Sequence, residues 1–363
     1  MLVFSGGVRW IQDSAFKHTS ISIELNTMLS KVIMFLGHLI LILDVTNAFT
    51  IQRKYNQKAR LALKASTESN QKMEPVPLNY MCLQSPVSTN PPVILIHGLL
   101  GQKRNLATLG ALLYNQLEKK RSIYAVDLRN HGDNQKRDWK DEMSYSHMAT
   151  DVFAFMKDHE IEDAVLCGHS LGGKVTMSMA LSQPHRVCGA IVLDISPVRY
   201  THNDCAWRNV QDIVDTLSSI EITKFSSKKE LDLELLDSVP DDELRAFILT
   251  SVEEANIDET PGLQWKLNIE AISNQMDIMA GFDVLDDKLN LRCEDGIDDF
   301  IYQGNLLLVN SPKSKYVKSS HLSTIQRHFP NFMIASVKDS NHSIHHENAD
   351  ELASILKQYL DNI

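Results

Sequence analysis

Seven short aliphatic runs limit how this chain can fold: Leu78 to Leu83, Val93 to Ile96, Ser122 to Val126, Ala164 to Cys167, Ala190 to Leu193, Leu306 to Val309 and Phe332 to Val337. Most are continuous rather than alternating, which marks strands buried on both faces, as in a parallel sheet covered by helices. Between them apolar residues recur at three or four: Leu106, Leu109, Leu113 and Leu117; Met148, Val152, Phe155 and Met156; then Val175, Met177 and Met179 to Leu181. Strand and helix alternate, which predicts an α/β fold with a mostly parallel central sheet flanked by helices.

The alternation lapses between Arg199 and about Arg292, where the chain is charged and helix-forming with no convincing strand, and it resumes at "NLLLVN". A helical insertion between two sheet strands predicts a cap, about 199–292, over the strand ends where α/β proteins place ligands. The charge runs Lys228 to Glu230, Asp241 to Glu243 and Glu294 to Asp299 read as solvated surface. Residues 75–363 thus form one domain with its cap.

Residues 1–74 differ. Up to Lys64 they carry eight Lys or Arg against three acids, in a chain whose net charge is −10. This asymmetry predicts a basic leader or a poorly ordered segment, with a mitochondrial address as the expectation. A signal peptide or short anchor started at Met28, and a mistaken gene start, are the other readings. Val32 to Leu43 is apolar apart from Gly37 and His38, but twelve residues fall short of the ~20 that span a bilayer. The sole Asn-x-Ser/Thr sequon, Asn341-His342-Ser343, would put a glycan on a histidine needed for chemistry, which weighs against secretion. Five cysteines, odd in number and without a CxxC pair, predict neither a disulfide framework nor a zinc site. The acidic balance argues against a general nucleic-acid binder.

The stretch "DAVLCGHSLGGKV" carries the chemistry. Ser170 lies in Gly168-His169-Ser170-Leu171-Gly172, after a strand and before a helix, the context in which G-x-S-x-G makes a strained turn with a projecting hydroxyl. The helix start offers the Leu171 N–H to an oxyanion. The loop after an early strand, in "VILIHGLLG", offers Leu99 N–H as the second donor. A serine hydroxyl needs a base. His342 comes soonest after the last strand, with His345 and His346 as competitors. The acid that orients the base is expected after Leu306 to Val309, but "LLLVNSPKSKYV" has no Asp or Glu. Asp194, ending the preceding strand in "AIVLDISPV", takes that role, with Asp339 as its rival. His131 and His169 read as structural, and His97 either packs or supports the donor loop. No HExxH, GxxxxGK[ST] or GxGxxG occurs, so no metal or nucleotide cofactor is expected.

With these residues in place the chain resembles the α/β-hydrolase superfamily, within a branch that holds an animal acylglycerol hydrolase and bacterial esterases. The resemblance runs from about Val76 to Leu360, on "VPLNY", "VILIHGLLGQKRN", "DLRNHGD", "GHSLGGKV", "VLDISPV", "WKLNIEAI" and "NHSIH" in order. It implies an α/β-hydrolase fold with the helical cap inserted after the sixth strand. It also implies a serine hydrolase of carboxylic esters, with lipase-like action on acylglycerols and, in animals, a mitochondrial location. The ligand would be a small-molecule or lipid ester, with peripheral contact at a membrane surface. Nucleophile, acid and base carry over to Ser170, Asp194 and His342, and Ser314 in "SKYV" would orient the histidine. Two departures stand out: "VNSPKS" replaces a shorter glycine-rich loop, and Ser343 replaces a tryptophan that would shield the histidine. A thioesterase, or a catalytically weak binding protein on the same fold, are the alternatives.

Overall fold

The structure, a computed structural model, describes residues 73–86, 88–134, 138–257, 260–284 and 300–363. The basic leader, except its last two residues, and the run Glu294 to Asp299 lie outside the described residues, as does Cys293.

All seven expected strands form: β1 (Tyr80–Leu83), β2 (Val93–Ile96), β3 (Ile123–Val126), β4 (Ala164–His169), β5 (Val187–Leu193), and then β8 (Leu306–Asn310) and β9 (Phe332–Ser336). They make one sheet in the order β1-β3-β2-β4-β5-β8-β9. Only β1 runs antiparallel, against β3. Continuous apolar sequence becomes two-sided burial: Val93 and Leu95 of β2 enter one core cluster, while Ile94 and Ile96 enter the other. The first cluster is covered by α1 (Ala107–Gln116) and α11 (Ala349–Leu360), through Leu109, Leu113, Leu352 and Leu356. The second takes α2 (Tyr145–Asp158), α3 (Leu171–Ser182) and the insertion.

From β2 the chain crosses to β3 on one side, and then to β4 on the other. The loops leaving β2 and β4 therefore part in opposite directions and open a crevice at the carboxyl ends of these strands.

The insertion follows β5, the fifth strand among the described residues, and not a sixth as expected. It contains α4 (Cys205–Ser219), α5 (Lys228–Leu235), α6 (Asp242–Thr250), α7 (Ile269–Asn274) and α8 (Met276–Ala280). It is not purely helical. β6 (Val252–Ile257) and β7 (Thr260–Trp265) pair as an antiparallel hairpin, with Val252 opposite Trp265. The sequence hid it because Glu253-Glu254 and Pro261-Gly262 break the period of two, so that among the described residues only Val252 and Leu263 carry the hairpin's buried apolar contacts into the second cluster. Of the charge runs within it, Asp241 to Glu243 is exposed as expected, whereas in Lys228 to Glu230 the first residue is half-buried and its ammonium donates to Leu249 C=O (3.0 Å).

Lys174, in α3, joins the two ends of the insertion. Its buried ammonium donates to the carbonyls of Val198 (2.9 Å), Ala280 (3.3 Å) and Gly281 (2.6 Å), and lies 4.8 Å from the Tyr200 ring centre.

Candidate active site

Ser170 stands between β4 and α3 with φ 51° and ψ −114°, a left-handed conformation that a serine adopts only under constraint. The constraint is close packing. A Cβ on Gly172 would collide with the backbone carbonyl of Ile96, so the start of α3 can sit against β2 only with glycine there. Ser170 N–H donates to Leu193 C=O (3.0 Å), which ties the turn to β5. Of six non-glycine residues with positive φ among the described residues, Leu100, Asn130, Ser170, Asp194 and Asp339 lie in loops that follow sheet strands.

Asp194 directly follows β5, and its side chain is fully buried. Oδ2 accepts from His342 Nδ1 (2.7 Å) and Oδ1 from the Ser311 N–H (3.1 Å). Its rival Asp339 has a side chain 94% exposed. Of the competing histidines, His346 is exposed. His345 is buried, with burial and the neighbouring His342 pushing it down to about 3. With Nδ1 of His342 donating to Asp194, Nε2 is left as the basic nitrogen.

His169 joins the elbow to the histidine loop. Its Nε2–H donates to His342 C=O (2.9 Å), and the two ring centres are 4.8 Å apart. Burial, with His345 and His342 nearby, holds His169 well below the usual histidine range, so it is a neutral donor. Among the described residues the Ser170 hydroxyl makes no hydrogen bond to His342. In unliganded enzymes such bonds are often long and tighten when substrate is seated.

The loop after β2 closes the other side. A Cβ on Gly98 would lie 3.3 Å from Ser170 Cβ and 2.8 Å from His169 Nδ1, so this backbone sits directly on the elbow. His97 holds it there: Nε2 accepts Leu128 N–H (3.0 Å), while Nδ1–H donates to Gly98 C=O (2.8 Å). The N–H groups of Leu99 and Leu171 have no protein acceptor among the described residues.

Ser314, expected to orient the histidine, is placed otherwise: its hydroxyl accepts Tyr316 N–H (3.2 Å). The loop after β8 acts on the pair through Ser311 and Tyr316. Ser311 N–H bonds Asp194 as described, and its hydroxyl donates to Ser340 C=O, joining the acid's loop to the histidine's. The Tyr316 ring lies 4.1 Å from the His342 ring at 31° and provides the apolar cover that Ser343 does not. Its hydroxyl donates to Ala206 C=O in α4. Neither residue carried a sequence signal, since a serine and a tyrosine in a surface-type loop are unremarkable by themselves. No cluster of three or more metal-ligating side chains occurs among the described residues. Nor is any helix among them long and apolar enough to cross a membrane.

A family profile described as "alpha/beta hydrolase fold" matches residues 91–230. An abhydrolase domain-containing protein of Schizosaccharomyces pombe is 30% identical over 292 residues, covering 80% of this chain and 99% of that protein. The sn-1-specific diacylglycerol lipase ABHD11 of Danio rerio is 29% identical, covering 81% of this chain and 86% of the lipase. Among solved structures, a marine microorganism esterase superposes with a TM-score of 0.68 at 24% identity, covering 78% of this chain and 99% of the esterase.

Proposed function

The chain belongs to the α/β-hydrolase family, and from that premise we propose that it is a serine hydrolase of carboxylic esters, with lipid esters such as acylglycerols as its substrate class. The 2.7 Å bond between His342 Nδ1 and buried Asp194, beside a strained Ser170, carries this reading. Asp194 fixes the tautomer that leaves Nε2 basic and stabilises the imidazolium formed during the reaction. Ser170 Oγ attacks the ester carbonyl carbon, its proton passes to His342 Nε2, and the carbonyl π pair moves to oxygen. Leu99 and Leu171 N–H groups receive that oxyanion. Collapse expels the alcohol with the proton from His342, leaving an acyl group on Ser170. Water, deprotonated by the same histidine, then releases the acid.

The acylglycerol proposal draws on the lipase named among the relatives, and an apolar acyl chain suits a site under a cap. A fluorophosphonate probe tests the chemistry: it should label the native protein at Ser170 and leave Ser170→Ala unmodified. Ester turnover by Ser170→Ala should fall at least 10⁴-fold. A native protein silent to the probe, or full turnover by the variant, would defeat the proposal. Hydrolysis of diacylglycerols against thioesters of equal acyl length then decides the leaving group.

A further inference from the structure

We infer that Ser251, in the cap, is a positioning residue for the oxyanion hole, with Gln102 as the second tie between the cap and the oxyanion loop. This rests on the serine-hydrolase reading, because Leu99 N–H matters only if an oxyanion forms at Ser170.

The loop after β2 makes a tight turn. Gly101 N–H donates to Gly98 C=O (3.1 Å), so Leu99 and Leu100 occupy the two central places. Leu100 has φ 61°, at the third place of the turn, where glycine is the easy choice. A leucine persists there only where its surroundings hold it. Two carbonyls of the turn are held. His97 grips that of Gly98, from within the body. The Leu100 carbonyl accepts the Ser251 hydroxyl at 2.7 Å, across 151 residues of sequence.

Ser251 is well placed to exert that hold. It is 1% exposed, its N–H donates to Ile248 C=O (2.9 Å) at the end of α6, and its own carbonyl accepts Lys266 N–H (2.9 Å) at the base of the hairpin. Its backbone is thus fixed to the cap in two directions, while its side chain alone reaches the body. One residue beyond the turn, Gln102 Nε2 donates to Thr250 C=O (2.6 Å), and Gln102 Oε1 accepts from Lys266 Nζ (3.2 Å). Lys266 also pairs with Asp133, which bonds Lys103 (2.6 Å), and Lys103 is anchored on buried Asp127 (2.6 Å). Among the described residues each hydrogen bond from the cap meets the loop at or after Leu100, while Leu99 N–H makes none. The cap therefore sets the direction of the Leu100–Gly101 peptide, and the N–H of that peptide, bonded to Gly98 C=O, passes the hold to the Gly98–Leu99 peptide that carries the donor. A cap displaced from these contacts would leave Ser170, His342 and Asp194 in place but the oxyanion poorly received.

A trifluoromethyl ketone reads out this effect. Ser170 Oγ adds to its carbonyl carbon, the proton passes to His342, and the π pair becomes an oxyanion in the hole. The matching secondary alcohol binds without forming one. Ser251→Ala should lower kcat/KM by about 10- to 100-fold and weaken the ketone by a similar factor, with affinity for the alcohol unchanged. Gln102→Met should act in the same direction by a few fold, and it serves as the test should Ser251→Ala fold poorly. All rates are normalised to sites titrated with a fluorophosphonate. Variants within twofold of the native enzyme, or losses that vanish on normalisation, would overturn the inference while leaving the serine-hydrolase reading intact. A native enzyme inert to esters and to the ketone would overturn both.

Discussion

In the body, β2 buries all four of its side chains and divides them between two apolar clusters, whereas the cap packs into the second of these and adds polar ties to the body. Lys174 gathers the carbonyls at both ends of the insertion, and Ser251, Gln102 and Lys266 join its middle to the loop after β2. The body positions reacting groups by close packing, which tolerates strained backbone at Ser170 and Asp194 because neighbouring strands leave no room for relaxation. The cap, seated on the body by apolar packing, adds orientation through hydrogen bonds, which are directional but individually weak. Damage to the body should therefore appear in chemistry, and damage to the cap first in stability or in fine geometry.

The sharpest test of the division is Asp194→Asn. The amide keeps an acceptor for Ser311 N–H yet favours the wrong tautomer of His342, so turnover should fall about 10⁴-fold with little change in urea unfolding. A large loss of stability instead would place Asp194 among the structural groups. Lys174→Met should reverse the pattern. It strands up to three buried carbonyls, so unfolding free energy should drop by about 2 to 4 kcal/mol while activity per titrated site stays within tenfold.

A pH series reports on the histidines packed behind the site. Burial lowers His97, His131, His169 and His345, with His131 and His345 reaching about 3 from an ordinary 6.5. Each stays neutral in the folded protein while the unfolded chain takes up a proton near 6.5. Their contribution to stability is therefore complete above that pH and is lost as pH falls toward 3. Tm measured from pH 7.5 downward should be level at first and decline steadily below about 6.5. A flat profile to pH 4 would show that these rings are not held neutral. The smallest effect belongs to the cap's outer face, where Leu233 is 58% exposed. Leu233→Ser should change stability by no more than about 0.5 kcal/mol in the same unfolding assay.

Much of the body was legible in the sequence, because an inner strand buried on both faces must be apolar throughout; all seven runs became strands of the sheet, although the edge strands β1 and β9 are half-buried or exposed rather than covered on both faces. The elbow was legible for a related reason: glycines flanking Ser170 are demanded by backbone contacts so close that no other residue fits. Legibility failed where one side chain bonds a distant backbone. Ser314 is not the residue that braces the histidine loop; Ser311 and Tyr316 are, and polar or aromatic residues of a loop carry no mark of which carbonyl or ring they will meet. The hairpin β6–β7 was missed because pairing partners, rather than periodicity, make it a strand pair.

The sequence by itself determined the layered α/β architecture and where along it a serine would be thrust out, since these follow from local rules: burial period, glycine sterics and the order of strand and helix. Only the tertiary structure decided which carboxylate meets His342, what covers its ring, and that the cap grips the loop after β2 through Ser251. Those are contacts between residues far apart in sequence, and directional bonds over such separations exist only once the packed chain has set the distances.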